Sequence, residues 1–252
     1  INQNAFGYSV MGYADLNSTI TSNALGANAC RIMGYALNNS TIFMDSLVAA
    51  NATDLFGYAN NSGVIQAADQ CAGALARGVA QNNSSIVTRG NGSMTFGFSN
   101  NNSTIFTGQF SDGCFVGGYA NSGGTISTGS TSPASHVFGF SNSGSFITTG
   151  NNTNASTVFG YATANSTITT GANSNGSLAV GYTGSSGELL GALGQTSFAI
   201  GRNNTASGAY SGAIGISSYA NMEGSFAHSS FQDTVNPVSA GRSQNIKVMG
   251  RK

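Results

Sequence analysis

The sequence predicts an all-β fold, a parallel β-solenoid (β-roll) whose coils of about 21 residues pass into coils of 14. Three observations predict it. A phrase of apolar residue, Gly, aromatic and Ala or Ser returns along the chain, as in Met33-Gly34-Tyr35-Ala36, Phe96-Gly97-Phe98-Ser99 and Phe159-Gly160-Tyr161-Ala162. The glycines at this place (Gly12, Gly34, Gly57, Gly78, Gly97, Gly118, Gly139, Gly160, Gly181 and Gly201) are spaced by 22, 23, 21, 19, 21, 21, 21, 21 and 20 residues. Eight residues after the glycines stands an Ile column of Ile20, Ile42, Ile65, Ile86, Ile105, Ile126, Ile147 and Ile168, with Leu189 closing the series.

Each coil supplies two strands. The first is centred on the glycine, for example Thr157 to Ala162, and the second on the Ile, for example Ser166 to Thr170. The β-branched residues around the Ile suit a pleated surface. A short polar turn such as Thr163-Ala164-Asn165 joins them, and a longer Gly/Asn/Ser loop absorbs the variation in coil length. Helix is excluded by the Gly and Asn content and by the absence of a 3.6-residue period. Stacking places each Ile on the Ile of the preceding coil, and its flanking residues face outward. Those flanks are Thr19/Thr21, Thr41/Phe43, Ser85/Val87, Thr125/Ser127 and Thr167/Thr169, an apolar ladder inside and a Thr-rich surface outside. In the first strand the aromatic row is expected as core and the Gly/Ala row as a flat contact for a neighbouring chain. Arg77 and Arg202 fall in the aromatic rows and keep the reverse assignment open, because a buried guanidinium is costly.

From Ser197 the period shortens. Ser197-Phe198-Ala199-Ile200-Gly201, Ser211-Gly212-Ala213-Ile214-Gly215 and Ser225-Phe226-Ala227-His228 recur every 14 residues. With Ala206-Ser207-Gly208, this run over 197–229 resembles the head repeat of trimeric autotransporter adhesins, and similar repeats occur in phage and giant-virus fibre proteins. The resemblance implies a left-handed parallel β-roll, one coil per repeat, with three chains around a threefold axis. The 21-residue units depart from that pattern by added residues, so trimerisation there extends the analogy. The chain thus divides into 1–196 (21-residue coils), 197–234 (adhesin-head-like coils) and 235–252, which fits no repeat and reads as a neck toward a further segment.

A physical argument points the same way. Burying an Ile stripe yields about 1.5–3 kcal/mol per large side chain, against about 1–2 kcal/mol to order each residue. A thin coil is therefore marginal alone and is expected to pack against other copies; the resemblance implies three, so a homotrimer is expected, with Ala14, Ala36, Ala59, Ala120 and Ala162 near the shared interface and end-to-end joining of rods left open.

Composition narrows the function classes. Of 252 residues, 6% are charged, with 36 Gly, 2 Pro and no Trp. The 15 Phe, 9 Tyr and the Ile column argue against disorder. Eight basic residues balance eight acidic ones, and half of the basic ones (Arg242, Lys247, Arg251 and Lys252) lie near the C-terminal end. No continuous basic face is left for phosphates, so nucleic acid is not an expected partner. No apolar run is long enough for a membrane span, and no signal peptide is apparent. Cys30 and Cys114 share a repeat position four coils apart, about 19 Å at the strand spacing, too far for an intrachain disulfide. Buried small apolar residues are the expected reading, interchain bridges the alternative.

No catalytic set is apparent, and the chain is not expected to be an enzyme. His136 and His228 lie in separate repeats without zinc spacing. The acids are single, no paired carboxylates for glycoside chemistry occur, and no Gly-rich segment ends in the phosphate-loop Lys. No cofactor or metal site is expected. One motif is dense: Asn-x-Ser/Thr at Asn17, Asn39, Asn51, Asn83, Asn91, Asn102, Asn154, Asn165 and Asn175. These are candidate N-glycosylation sites, and Asn at a solenoid corner has an equally direct use, because it tolerates left-handed backbone. The expected function is a structural subunit of an extracellular, virion-attached or cell-surface fibre. The alternatives are an adhesin tip that binds glycan or host protein, and an ice-binding solenoid suggested by the Thr-x-Thr pairs. Thr41/Phe43, Val64/Gln66 and Phe146/Thr148 break the regular array that ice demands.

Overall fold

The computed structural model describes residues 9–22, 29–45, 52–68, 72–229 and 244–246. It is all-β, and its strands alternate along the chain between two parallel sheets. The glycine strands, with the tail strand Gln244–Ile246 at one edge, form a 13-stranded sheet, and the Ile strands an 11-stranded one. Each strand pairs with its counterpart one coil away. Gly12, Gly34, Gly57, Gly78, Gly97, Gly118, Gly139, Gly160, Gly181, Gly201 and Gly215 align in a single column. The 21-residue coils therefore run into the 14-residue coils without a break in either sheet. The last glycine strand, Phe226–Ser229, is covered by Gln244–Ile246 in antiparallel register, which gives the tail a pairing role at the sheet edge.

The Ile column forms the core as expected. Ile42, Ile65, Ile86, Ile105, Ile126, Ile147 and Ile168 are fully buried, and Ile20, at the end of the stack, is partly so. The closing residue is Leu190, not Leu189. Leu190 pairs with Ile168 and is buried, whereas Leu189 pairs with Thr167 and faces out. An extra residue in the turn before Glu188 displaces the series by one place. Beyond it the ladder turns polar. Asn204 is buried and satisfied, donating from Nδ2 to the carbonyls of Ile200 (2.6 Å) and Gly215 (2.7 Å) and accepting from the Ser218 amide (2.8 Å).

The first strand has the reverse of the expected facing. Ala36, Ala59, Ala120 and Ala162 are fully buried inside their own coil, so they are core and not a subunit interface; Ala14 is exposed in the terminal coil. The residue two before each glycine joins them inside, for example Ile32, Leu55, Val116, Val137 and Val158. The aromatics point outward. The reason is the width of the coil. The inward position between these two belongs to the glycine, and a Cβ at Gly160 would stand 2.5 Å from Cδ1 of Ile168 and against the Gly181 carbonyl oxygen. With one Ile reaching the opposite backbone, no space remains for a ring.

Serine and threonine close the coils where the ladders end. The inward hydroxyl of Ser156 donates to the Ser174 carbonyl (2.7 Å) and accepts from the Ser177 amide (3.3 Å). Ser93, Ser111, Ser132, Ser135 and Ser177 repeat both bonds along the stack. Buried backbone is thereby paired without charge, which accounts for a chain so rich in Ser and so poor in Lys and Glu. Cys30 and Cys114 are buried, as expected of small apolar residues, and Cys71 lies outside the described residues.

Candidate interaction surface

The outer side of the glycine sheet is the chain's most distinctive surface. Three outward columns run along it. The middle column contains Met33, Phe56, Arg77, Phe96, Gly117, Phe138, Phe159, Val180, Ile200 and Ile214 in register. The column after the glycine contains Tyr35, Tyr58, Val79, Phe98, Tyr119, Phe140, Tyr161 and Tyr182. The coil repeat brings these rings into contact. Tyr119 and Phe140 stack with centroids 5.0 Å apart and planes 1° from parallel, and Phe140 and Tyr161 stack at 4.7 Å and 4°. Phe138 stacks on Phe159 at 5.4 Å and lies 4.8 Å from the Phe115 ring of the third column. Such pairs add to the value of their buried area. The face remains open even so, with Tyr35 59% and Phe159 40% exposed.

Two arginines at the margins of this face are paired with acids. Arg31 reaches Asp54 of the next coil at 2.6 Å and lies over the Phe56 ring at 5.7 Å. Arg202 reaches Glu188 at 2.7 Å and covers Tyr182 at 5.5 Å. Glu188 also caps its own turn, accepting from the amides of Gly184 (2.6 Å) and Ser185 (3.2 Å). Burial pushes its carboxyl upward, but the Arg202 hydrogen bond, the two amides and the guanidinium charge outweigh it, and the net displacement is below the ordinary carboxylate range. The Asp54 and Glu188 roles were hidden in sequence, where both read as isolated acids; the 23- and 14-residue separations from Arg31 and Arg202, each one coil, are the signal that finds them.

A second feature lies at the corner after the Ile strands. A groove of about 520 Å³ runs along the stack over the glycines Gly129, Gly150 and Gly171, walled by Ser127, Thr148 and Thr169. The Ser127 and Thr148 hydroxyls are 3.0 Å apart. On the Ile sheet itself, the outward column reads Thr104, Thr125, Phe146, Thr167, Leu189, so its hydroxyl array is interrupted.

The candidate glycosylation residues separate into two groups. Asn17, Asn39, Asn83, Asn102 and Asn165 all occupy the second left-handed position of the turn before the Ile strand (φ 61, 60, 58, 58 and 57°) and are exposed. The Ser that follows is the inward member of a hydroxyl ladder, as Ser84 shows by accepting from the Ser103 amide (3.1 Å). Corner geometry thus accounts for this Asn-Ser-Thr phrase, which reads Asn-Ser-Ser at Asn83. Asn91, Asn154 and Asn175 lie in the longer loop after the Ile strand, where the Asn91 and Asn175 oxygens accept from the Ala72 (3.1 Å) and Asn154 (2.8 Å) amides. Asn51 lies outside the described residues.

Among the described residues no three His, Cys, Asp or Glu side chains gather as a metal site, and no helix is long and apolar enough to cross a membrane. His136 and His228 are exposed on separate strands. The sequence matches no protein-family model, and no solved structure matches it.

Proposed function

We propose that the chain is a structural subunit of a fibre outside the cell or on a virion or cell surface, a rigid homotrimeric β-solenoid rod. The observation that carries this reading is the aromatic face. Monomeric soluble proteins rarely leave a contiguous apolar patch of more than a few hundred Å² open, and larger ones mark contacts. Here the patch is a straight stripe along the stack, in coils too thin to shelter it. A second copy presents the same stripe at the same coil spacing, so identical chains in parallel match it along its length. The resemblance of 197–229 to trimeric adhesin heads supports three copies, and Ile200 and Ile214 of those coils stand in the same column as Phe138 and Phe159. The interface thus moves from the alanine row, where the sequence placed it, to the aromatic columns. Light scattering on the purified chain tests this: three chains per particle are expected, with loss of assembly in Phe140→Arg and none in Thr169→Arg. Assembly unaffected by Phe140→Arg contradicts the reading.

The groove over Gly129, Gly150 and Gly171 favours a second reading, an adhesin. Hydroxyls and bare backbone repeating along an axis suit an extended glycan, with Phe106 beside the groove as an apolar platform. Glycan-array binding that is abolished by Thr148→Arg supports it; binding indifferent to that change excludes the groove as the site.

A further inference from the structure

We infer that the aromatic face holds a binding site for a small inorganic oxyanion of the phosphate type at Arg77, completed by the Arg77 of two further copies; the inference rests on the homotrimer reading above. Arg77 stands in the middle column between Phe56 and Phe96, with Leu75 and Val79 on its own strand. It is exposed, and among the described residues it makes no ion pair or hydrogen bond. The other two arginines of this face differ in column and in pairing. Arg31 and Arg202 lie in the flanking columns, and each has a carboxylate one coil away. Beside Arg77 is a shallow depression of about 410 Å³ bounded by Tyr35, Phe56, Tyr58 and Val79, with no acid in it.

Closed symmetry sets the three copies of one residue at one height around the axis, and in a trimer closed through this face its middle column is the one turned to that axis. Three guanidiniums therefore meet where the aromatic columns exclude water. A guanidinium does not shed its proton to escape burial, and an unpaired buried charge is strongly unfavourable. An oxyanion resolves this, because its oxygens accept the paired N–H donors of the guanidinium fork. Tyr58 lines the same depression, and a phenol hydroxyl is a further kind of donor. A charged cluster at one level of an otherwise apolar face also fixes the register of the chains, since a slip of one coil sets Arg77 against Phe56 or Phe96.

The test uses the full chain, dialysed free of phosphate and then titrated with millimolar phosphate at constant ionic strength. Light scattering gives the mass, and thermal unfolding gives the response. The expected result is a trimer whose melting temperature rises by several degrees with the logarithm of phosphate concentration. Arg77→Met is expected to give a trimer with a flat response, and Arg77→Lys a weakened one. A single-chain mass overturns the trimer and the site together. A trimer whose melting ignores phosphate, or whose Arg77→Met variant responds as fully as the native chain, overturns the anion site and leaves the trimer standing. If Arg77→Met does not assemble, Arg77→Lys decides: a reduced response supports the site, and an undiminished one overturns it.

Discussion

Ile105 is fully buried, stacked between Ile86 and Ile126, and its Cδ1 lies 3.0 Å from where a Cβ on Gly97 would stand. Gly97 also has φ +139°, a region that side chains rarely adopt. Two residues thus divide one space, the glycine giving up all of it. Ile105→Asp places an unpaired charge there and is expected to destabilise the chain by several kcal/mol in chemical denaturation; unchanged stability would remove the ladder from the core. Ser99 gives a change of opposite sign. It occupies the column of Ala80 and Ala120, and its buried hydroxyl has no hydrogen-bond partner among the described residues. Ser99→Ala is therefore expected to stabilise by about 1 kcal/mol, read as a higher denaturation midpoint at unchanged slope.

The turn before Leu190 tests the account at the level of an element. Its Glu188 holds two amides of its own turn and Arg202 of the next coil, where long coils give way to short ones. The carboxyl is held below its ordinary range, so the folded state prefers it ionised. The contribution is then complete above the ordinary carboxylate range and lost as pH falls through the folded value. Native chain and Glu188→Gln are expected to differ most in melting temperature near neutral pH and to converge in acid. A difference that grows in acid contradicts the assignment. This turn also marks what the sequence leaves hidden. Eight-residue spacing from the glycine identifies every Ile of the ladder but selects Leu189 at the end, because one added residue in a polar turn leaves no trace in apolar pattern. The facing of the glycine strand was hidden for a different reason. Apolarity argues for burial of Phe and Tyr, and only the cross-section of the coil, narrow enough for one Ile to reach the opposite backbone, sends them out. Arg77 and Arg202 in the aromatic rows were the signal available beforehand. The corner asparagines, by contrast, were legible both in place and in conformation, since Asn is among the few residues at ease with positive φ.

At the scale of the molecule, the interior among the described residues is made mainly of Ile, Val, Leu, Ala, Ser and Thr, and the large rings are left for the outside. Such a rod holds its coils together by backbone ladders and hydroxyls, and it keeps its largest apolar surface for something else. The central claim is that this surface is covered by other copies of the chain. Tyrosine nitration of the native particle, read residue by residue by mass spectrometry, tests it most directly, because the single chain contains its own controls. Tyr35 and Tyr210 are 59% and 60% exposed, and Tyr161 and Tyr219 are 42% and 45% exposed, with one member of each pair on the aromatic face and the other away from it. A covered face predicts Tyr35 and Tyr161 protected while Tyr210 and Tyr219 react, and all four reacting once the particle is dissociated. Equal reaction of both pairs in the native particle would contradict it.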